Sequence, residues 1–376
     1  MRVHHRPFAS NVKSSFRPRR HPAVVCASIA SSSRTGTCAY TTYHTLPDGK
    51  KLELLVQKAP QDPAAPSSSP RPPLLFVHGS YHAAWCWQEN FMPYFSSRGY
   101  DTYAVSFRAQ GSSDPAPPGQ SVAGTLDAHA ADLATLVPLV QSMSATDANA
   151  NAAAADANGG SAGGGSGSGS SGRAPVLVAH SFGGLIAQKY VLGLAKPGSS
   201  SASSSSSSPP PPAPGSFPPL SGAAFLNSVP PTGNKKLVLR FMQRDFLYSM
   251  RLTWGFMART FGKSRESCRE FFFSKDLPLD KLERYRQQLA AASAVRLLDL
   301  RDMNAQVPLP PPPPHAPPAF VLGGVEDGVV DPPAVEELAA YYGVKPVLLD
   351  NMAHDSMLDT RWERAAQELE NWLGTL

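Results

Sequence analysis

Short, uniformly apolar runs alternate along this chain with longer stretches in which apolar residues recur at helical intervals. The runs at 74–77, 101–106, 176–179, 223–229, 320–323 and 346–349 are built mainly from Val, Leu, Phe and Ala. They are too short for helices, and an apolar run without alternation fits a strand covered on both faces. Between them, residues 127–137, 185–194, 336–342 and 362–373 carry helical spacing, and 84–87 begins a further helix. Pro138 is expected to end or kink the first of these. Two extended segments, 40–46 and 50–59, meet at Pro47-Asp48-Gly49, a hairpin signal. The alternation predicts an α/β fold: a mostly parallel central sheet flanked by helices.

The pattern changes over residues 231–305, which read as a helical insertion between core segments 40–230 and 306–376. Leu237, Phe241, Phe246, Met250, Trp254, Met257 and Phe261 form a wide apolar stripe there, joined by Phe271, Phe272, Phe273 and Tyr285. Most of them are expected to form the insertion's own core. Four Pro-, Gly- or Ser-rich segments, 60–73, 144–172, 196–219 and 308–318, each lie just before a predicted strand. In a parallel sheet, that position is the edge opposite the strand C-termini, where ligands bind. They are therefore expected to be solvated spacers remote from any chemistry.

Composition adds a further segment. Residues 1–39 contain no acid but include Arg2, Arg6, Lys13, Arg17, Arg19, Arg20 and Arg34, with frequent Ser. This is the composition of an organelle transit peptide. Residues 24–28 resemble a plastid processing site, favouring chloroplast with mitochondrion as the alternative. The insertion carries fifteen basic and eight acidic residues over 232–305, whereas the remaining body is acidic, so the net charge of +5 is unevenly spread. Because much of the excess lies in the first 39 residues, no nucleic-acid partner is expected. The cysteines Cys26, Cys38, Cys86 and Cys268 show neither a disulfide framework nor metal-ligand spacing. No apolar run approaches the ~18 residues of a membrane-spanning helix.

The candidate chemistry centres on Ala179-His180-Ser181-Phe182-Gly183, where a buried strand turns sharply into a helix. This is the build of a nucleophile elbow, with Ser181 lifted above the sheet and the Phe182 N–H aimed where negative charge develops. Ala179 replaces the usual first glycine, a small change at a position that needs a small side chain.

His78-Gly79, the Ser181 elbow, Asp327 and His354, in that order, resemble the α/β-hydrolase fold. In detail the segments 78–87, 227–234 and 353–362 resemble a plant-lineage plastid branch near lysophospholipase-like and methylesterase-like members. The resemblance implies Ser181 as nucleophile, His354 as its base and Asp327 as the acid that orients the base. It also implies an oxyanion hole from the Ser80 and Phe182 N–H groups, a structural His78, and a His180 turned away from the nucleophile. His82, which follows the oxyanion loop, is a candidate substrate contact. The insertion becomes a cap over the pocket. No metal or organic cofactor is implied. The activity implied is a serine hydrolase cleaving a carboxylic ester, with a lipid or lysolipid ahead of a small ester. A lyase on the same scaffold and a ligand-binding receptor that keeps the triad are the alternatives. The basic, aromatic cap suggests peripheral contact with anionic lipid.

Overall fold

Ten strands form in chain order: β1 (Tyr40–Thr45), β2 (Lys51–Gln57), β3 (Leu74–Val77), β4 (Thr102–Val105), β5 (Val122–Gly124), β6 (Val176–His180), β7 (Gly222–Leu226), β8 (Arg296–Leu298), β9 (Ala319–Gly324) and β10 (Val347–Leu349). Eight of them make one sheet in the order β1-β2-β4-β3-β6-β7-β9-β10. The hairpin strands β1 and β2 pair antiparallel, β2 runs antiparallel to β4, and all later neighbours are parallel. Every residue of β3, β4, β6 and β7 is buried, which is why these strands show no alternation. Edge strand β1, with one neighbour, stays largely exposed.

The structure is a computed structural model; it describes residues 39–60, 71–156, 172–198 and 212–376, all within the unit Thr35–Leu376. The transit reading of residues 1–39 falls almost wholly outside the described residues, as do the middles of three spacers, 61–70, 157–171 and 199–211.

The helices are α1 (Trp85–Gln88), α2 (Phe91–Ser96), α3 (Leu126–Asp156), α4 (Phe182–Leu192), α5 (Lys235–Arg244), α6 (Phe246–Ala258), α7 (Arg265–Phe272), α8 (Leu279–Ala291), α9 (Leu300–Gln306), α10 (Pro332–Tyr342) and α11 (Trp362–Leu373). Ala224 pairs with Phe320 and Phe225 with Val321, so Phe225 and Phe320 point to opposite faces of the sheet. Phe225 stacks on Tyr342 of α10 at 4.9 Å and Phe320 on Trp372 of α11 at 5.5 Å. Helices thus cover both faces.

The structure corrects several expectations. Helix α3 does not end at Pro138 but runs through it, taking in residues 144–156 that read as spacer. Leu133, Leu136, Val137 and Val140 are buried on either side of the proline, which itself faces solvent, so packing holds both halves in register. The insertion contains a strand after all: β8 pairs in parallel with β5 as a separate two-stranded sheet. Three residues are too few to show a period. The described spacer ends are also packed rather than solvated. Phe217 is buried against Tyr190 at 5.2 Å, and Leu309 is buried with its N–H on the Pro231 carbonyl at 2.9 Å.

Residues 231–306 fold as five α-helices, one short 3-10 turn (Thr260–Gly262) and one short strand. Leu237, Phe241, Phe261, Phe271, Phe272, Phe273 and Tyr285 are buried, as expected of a core. Phe246, Met250, Trp254 and Met257, from the same stripe, are between 52% and 74% exposed.

Candidate active site

The turn from β6 into α4 brings Ser181 to a backbone φ of 53° and ψ of −126°, with no glycine to relieve it. Such a conformation costs on the order of 1–3 kcal/mol and persists only where neighbours enforce it. Here the Ser181 N–H donates to the Leu226 carbonyl at 3.3 Å, and the Val229 N–H donates to the Ser181 carbonyl at 3.2 Å. Two glycines let the loops close in. A Cβ on Gly79 would stand 2.6 Å from the Ser181 Cβ, and one on Gly183 would stand 2.4 Å from the His78 carbonyl oxygen. Ala179 is fully buried in β6, and its carbonyl accepts the Ser228 hydroxyl at 3.1 Å.

The C-terminal ends of three strands converge. His354, on the loop after β10, has Nε2 3.1 Å from Ser181 Oγ and Nδ1 2.8 Å from Asp327 Oδ2. Asp327 follows β9. Its Oδ1 accepts the Val329 and Val330 N–H groups at 2.7 and 2.9 Å, and its Oδ2 also accepts the Asn227 side-chain amide at 2.9 Å. Four donors therefore surround a group that is acceptor-only when ionised. Adjacent Glu326 turns away, with its carboxylate accepting the Met352 N–H, and Asp331 caps α10 while pairing with Arg240.

The backbone N–H groups of Ser80 and Phe182 donate to no acceptor among the described residues. Phe182 opens α4, where an unpaired N–H is inherent to the helix. Ser80 is aimed by His78. The His78 ring donates from Nδ1 to the Gly79 carbonyl at 2.7 Å and accepts the Phe107 N–H at Nε2, 3.0 Å away. Because the peptide unit is planar, fixing the Gly79 carbonyl fixes the direction of the Ser80 N–H. Burial pushes the His78 pKa down to about 3, so the ring stays neutral in that tautomer.

Residues 74–368 match the sequence profile of the Alpha/beta hydrolase family. The chain belongs to that family. Among solved structures it is similar to an esterase from Exiguobacterium antarcticum, at 15% identity and TM-score 0.52, over 89% of this chain and 100% of that one. A bromoperoxidase from Bacillus anthracis aligns at 14% identity and TM-score 0.54, with coverages of 89% and 100%. A hydrolase from Pseudomonas aeruginosa aligns at 18% identity and TM-score 0.51, over 89% and 98%. At such identities the likeness is one of fold. No curated protein matches the chain.

In this α/β-hydrolase family member, a second cluster supports the first. The ring of His82, the candidate substrate contact, is almost fully buried. Its Nδ1 lies 2.9 Å from the Ser80 carbonyl oxygen and its Nε2 2.8 Å from Asp355 Oδ2, so both nitrogens face acceptors. Burial opposes a charged ring here, but the Asp355 carboxylate and the two hydrogen bonds outweigh it and hold the His82 pKa above its ordinary value. His180 donates from Nε2 to the His354 carbonyl at 3.0 Å and packs its ring 4.6 Å from the His354 ring. Burial keeps His180 neutral, well below the usual histidine range. His82, His180 and Asp355 thus brace the loop that carries His354 from behind. Asn227, His180 and Asp355 were not singled out as supports by the sequence. The one available signal was a polar residue, Asn227, closing an otherwise apolar strand run.

Aromatic residues roof the site. Tyr81 stacks on Phe256 of α6 at 5.7 Å and meets Phe261 edge-on at 4.8 Å. Phe256 contacts Phe272 at 6.0 Å, and Phe272 lies 6.1 Å from the His354 ring. Under this roof Ser181 is only 6% exposed.

Proposed function

We propose that this protein is a serine hydrolase of carboxylic esters, with an apolar acyl or alcohol group held under the aromatic roof. The observation that carries this reading is the continuous hydrogen-bonded line from Asp327 through His354 to Ser181, beside two unpaired N–H groups. In the first step Ser181 Oγ attacks the ester carbonyl carbon while His354 Nε2 takes the hydroxyl proton. Asp327 holds the proton on Nδ1 and stabilises the imidazolium. The carbonyl oxygen, now an anion, accepts from the Ser80 and Phe182 N–H groups; one such donor is worth about 3 kcal/mol in the transition state. Collapse expels the alkoxide, which takes the proton from His354 and leaves as the alcohol. Water then attacks the acyl-enzyme, giving its proton to His354, and the acid departs as Ser181 is restored.

The enclosure by Tyr81, Phe256, Phe261 and Phe272 favours a lipid or lysolipid ester, since an apolar chain recovers roughly 25 cal/mol per Å² of buried surface. A small methyl ester or pigment ester is the next class. We also propose residence in the chloroplast, on the acid-free, Arg- and Ser-rich composition of residues 1–39.

The test of the chemistry is labelling with a fluorophosphonate probe, comparing wild type with Ser181→Ala and His354→Ala. We expect labelling of wild type only, and ester turnover lowered by on the order of a millionfold in either variant. Folded wild type that takes no label would end the serine-hydrolase reading and leave the lyase and the ligand-binding receptor.

A further inference from the structure

Helix α6 has two different faces. Its inner face belongs to the site: Ser249, Leu252 and Gly255 are buried, Tyr248 donates its hydroxyl to the Gly328 carbonyl at 3.1 Å, and Phe256 stacks on Tyr81. Its outer face is also apolar, yet uncovered. Leu247, Met250, Trp254 and Met257 are 79%, 52%, 65% and 74% exposed. Their spacing of three, four and three residues aligns them along one side of the helix. The preceding helix repeats the arrangement, with Leu237 and Phe241 buried and Leu239 and Met242 exposed; Phe246 is exposed at the junction. Of the twelve large apolar residues exposed among those described, seven lie on these two helices. Scattered exposed apolar residues need no explanation, but a concentration of this kind marks a surface that meets another apolar phase.

The charges around the patch identify that phase. Lys235, Lys236 and Arg244 are exposed and form no ion pair among the described residues. Arg240 and Arg251 are already paired, with Asp331 and Glu270. The only acid of α5, α6 and their junction is Asp245, which is engaged in capping α6 through the Tyr248 N–H. An isologous dimer across this face would bring two cationic rims together, with three unpaired cations on each against the single exposed carboxylate of Asp245. An anionic bilayer satisfies both halves of the pattern. Leu, Met and Phe enter the acyl boundary, Trp254 lies at the headgroup level, and the cations pair with phosphate.

We infer that the outer face of α5 and α6 docks on an anionic lipid surface. Docking there is peripheral: among the described residues, no helix is long and apolar enough to cross a membrane. Because the same helix roofs Ser181 from its inner side, the docked protein meets lipid through the wall of its own site. The inference rests on the surface and not on the ester chemistry, and the experiment keeps the two apart.

Full-length Ser181→Ala protein is floated with vesicles of phosphatidylcholine alone or with added phosphatidylglycerol. The basic N-terminal segment is common to every variant, so only differences between variants are read. We expect wild type and Ser181→Ala to bind anionic vesicles equally. Lys235→Gln with Lys236→Gln and Arg244→Gln should weaken that binding about fivefold per charge, on the order of a hundredfold together. Leu247→Ser with Trp254→Ser and Met257→Ser should abolish it while leaving the melting temperature unchanged, since these side chains already face solvent. Two results would overturn the inference: both triple variants floating like wild type, or a wild-type dimer that the serine variant splits while neither form binds vesicles. Loss of flotation with soluble-ester turnover retained would separate docking from catalysis.

Discussion

At the scale of single residues, His82 has the most to explain. A buried imidazole between a carboxylate and a carbonyl has its charged form favoured, and the neighbours that decide this are Asp355, the Ser80 carbonyl, His180, His78 and the Trp85 and Phe272 rings. Its folded pKa lies above the ordinary ~6.5, so its contribution to stability is complete below that value and fades as pH rises through the raised pKa. We therefore expect His82→Gln to cost about 3 kcal/mol near pH 6, with the gap to wild type narrowing as pH rises through the raised pKa, by urea denaturation across a pH series. A gap that widens with pH would contradict a charged His82. Ser181, Asp327 and His354 were legible in the sequence because each follows an apolar strand run in family order. The supports were not legible: Asn227, His180 and Asp355 reach their partners across strands, and contacts between distant segments leave no mark in a linear pattern.

At the scale of elements, periodicity told helix from strand but not which side of a helix is covered. The stripe from Leu237 to Phe261 is one pattern in the sequence and two surfaces in the fold, because α6 is apolar on both of its faces. Only packing against Tyr81, Phe271 and Phe272 selects the inner one. Strands β5 and β8 escaped notice for want of length. The continuation of helix α3 past Pro138 escaped for a different reason: the proline removes a donor, but the buried turns on either side outweigh the defect. A proline inside a helix costs about 3 kcal/mol, partly offset by the stiffer unfolded chain. Pro138→Ala should therefore raise stability by about 2 kcal/mol, seen as a higher denaturation midpoint at unchanged slope. A destabilised variant would mean that the ring itself makes a contact the helix needs.

At the scale of the whole molecule, strand direction organises everything else. The parallel strands β3, β6, β7 and β9 are each entered from a Pro-, Gly- or Ser-rich segment, and the candidate site lies at the other edge, after β6, β9 and β10. That separation could be read from the sequence, since the composition of each segment and its position before a strand are local facts. The N-terminal segment can be tested by itself: residues 1–39 precede β1, and every candidate site residue named above follows it in the sequence. Fused to a fluorescent protein, they should carry it into chloroplasts of a leaf cell; cytosolic fluorescence would withdraw the proposed location.

The sheet thus has a permissive edge and a committed one. For anyone wishing to handle the protein, this names an attachment point. A tether introduced at Gly198, where the chain leaves α4 toward β7, would hold the molecule by the edge away from Ser181. Immobilised that way on a bead or sensor chip, it would keep the edge that carries Ser181 facing the liquid.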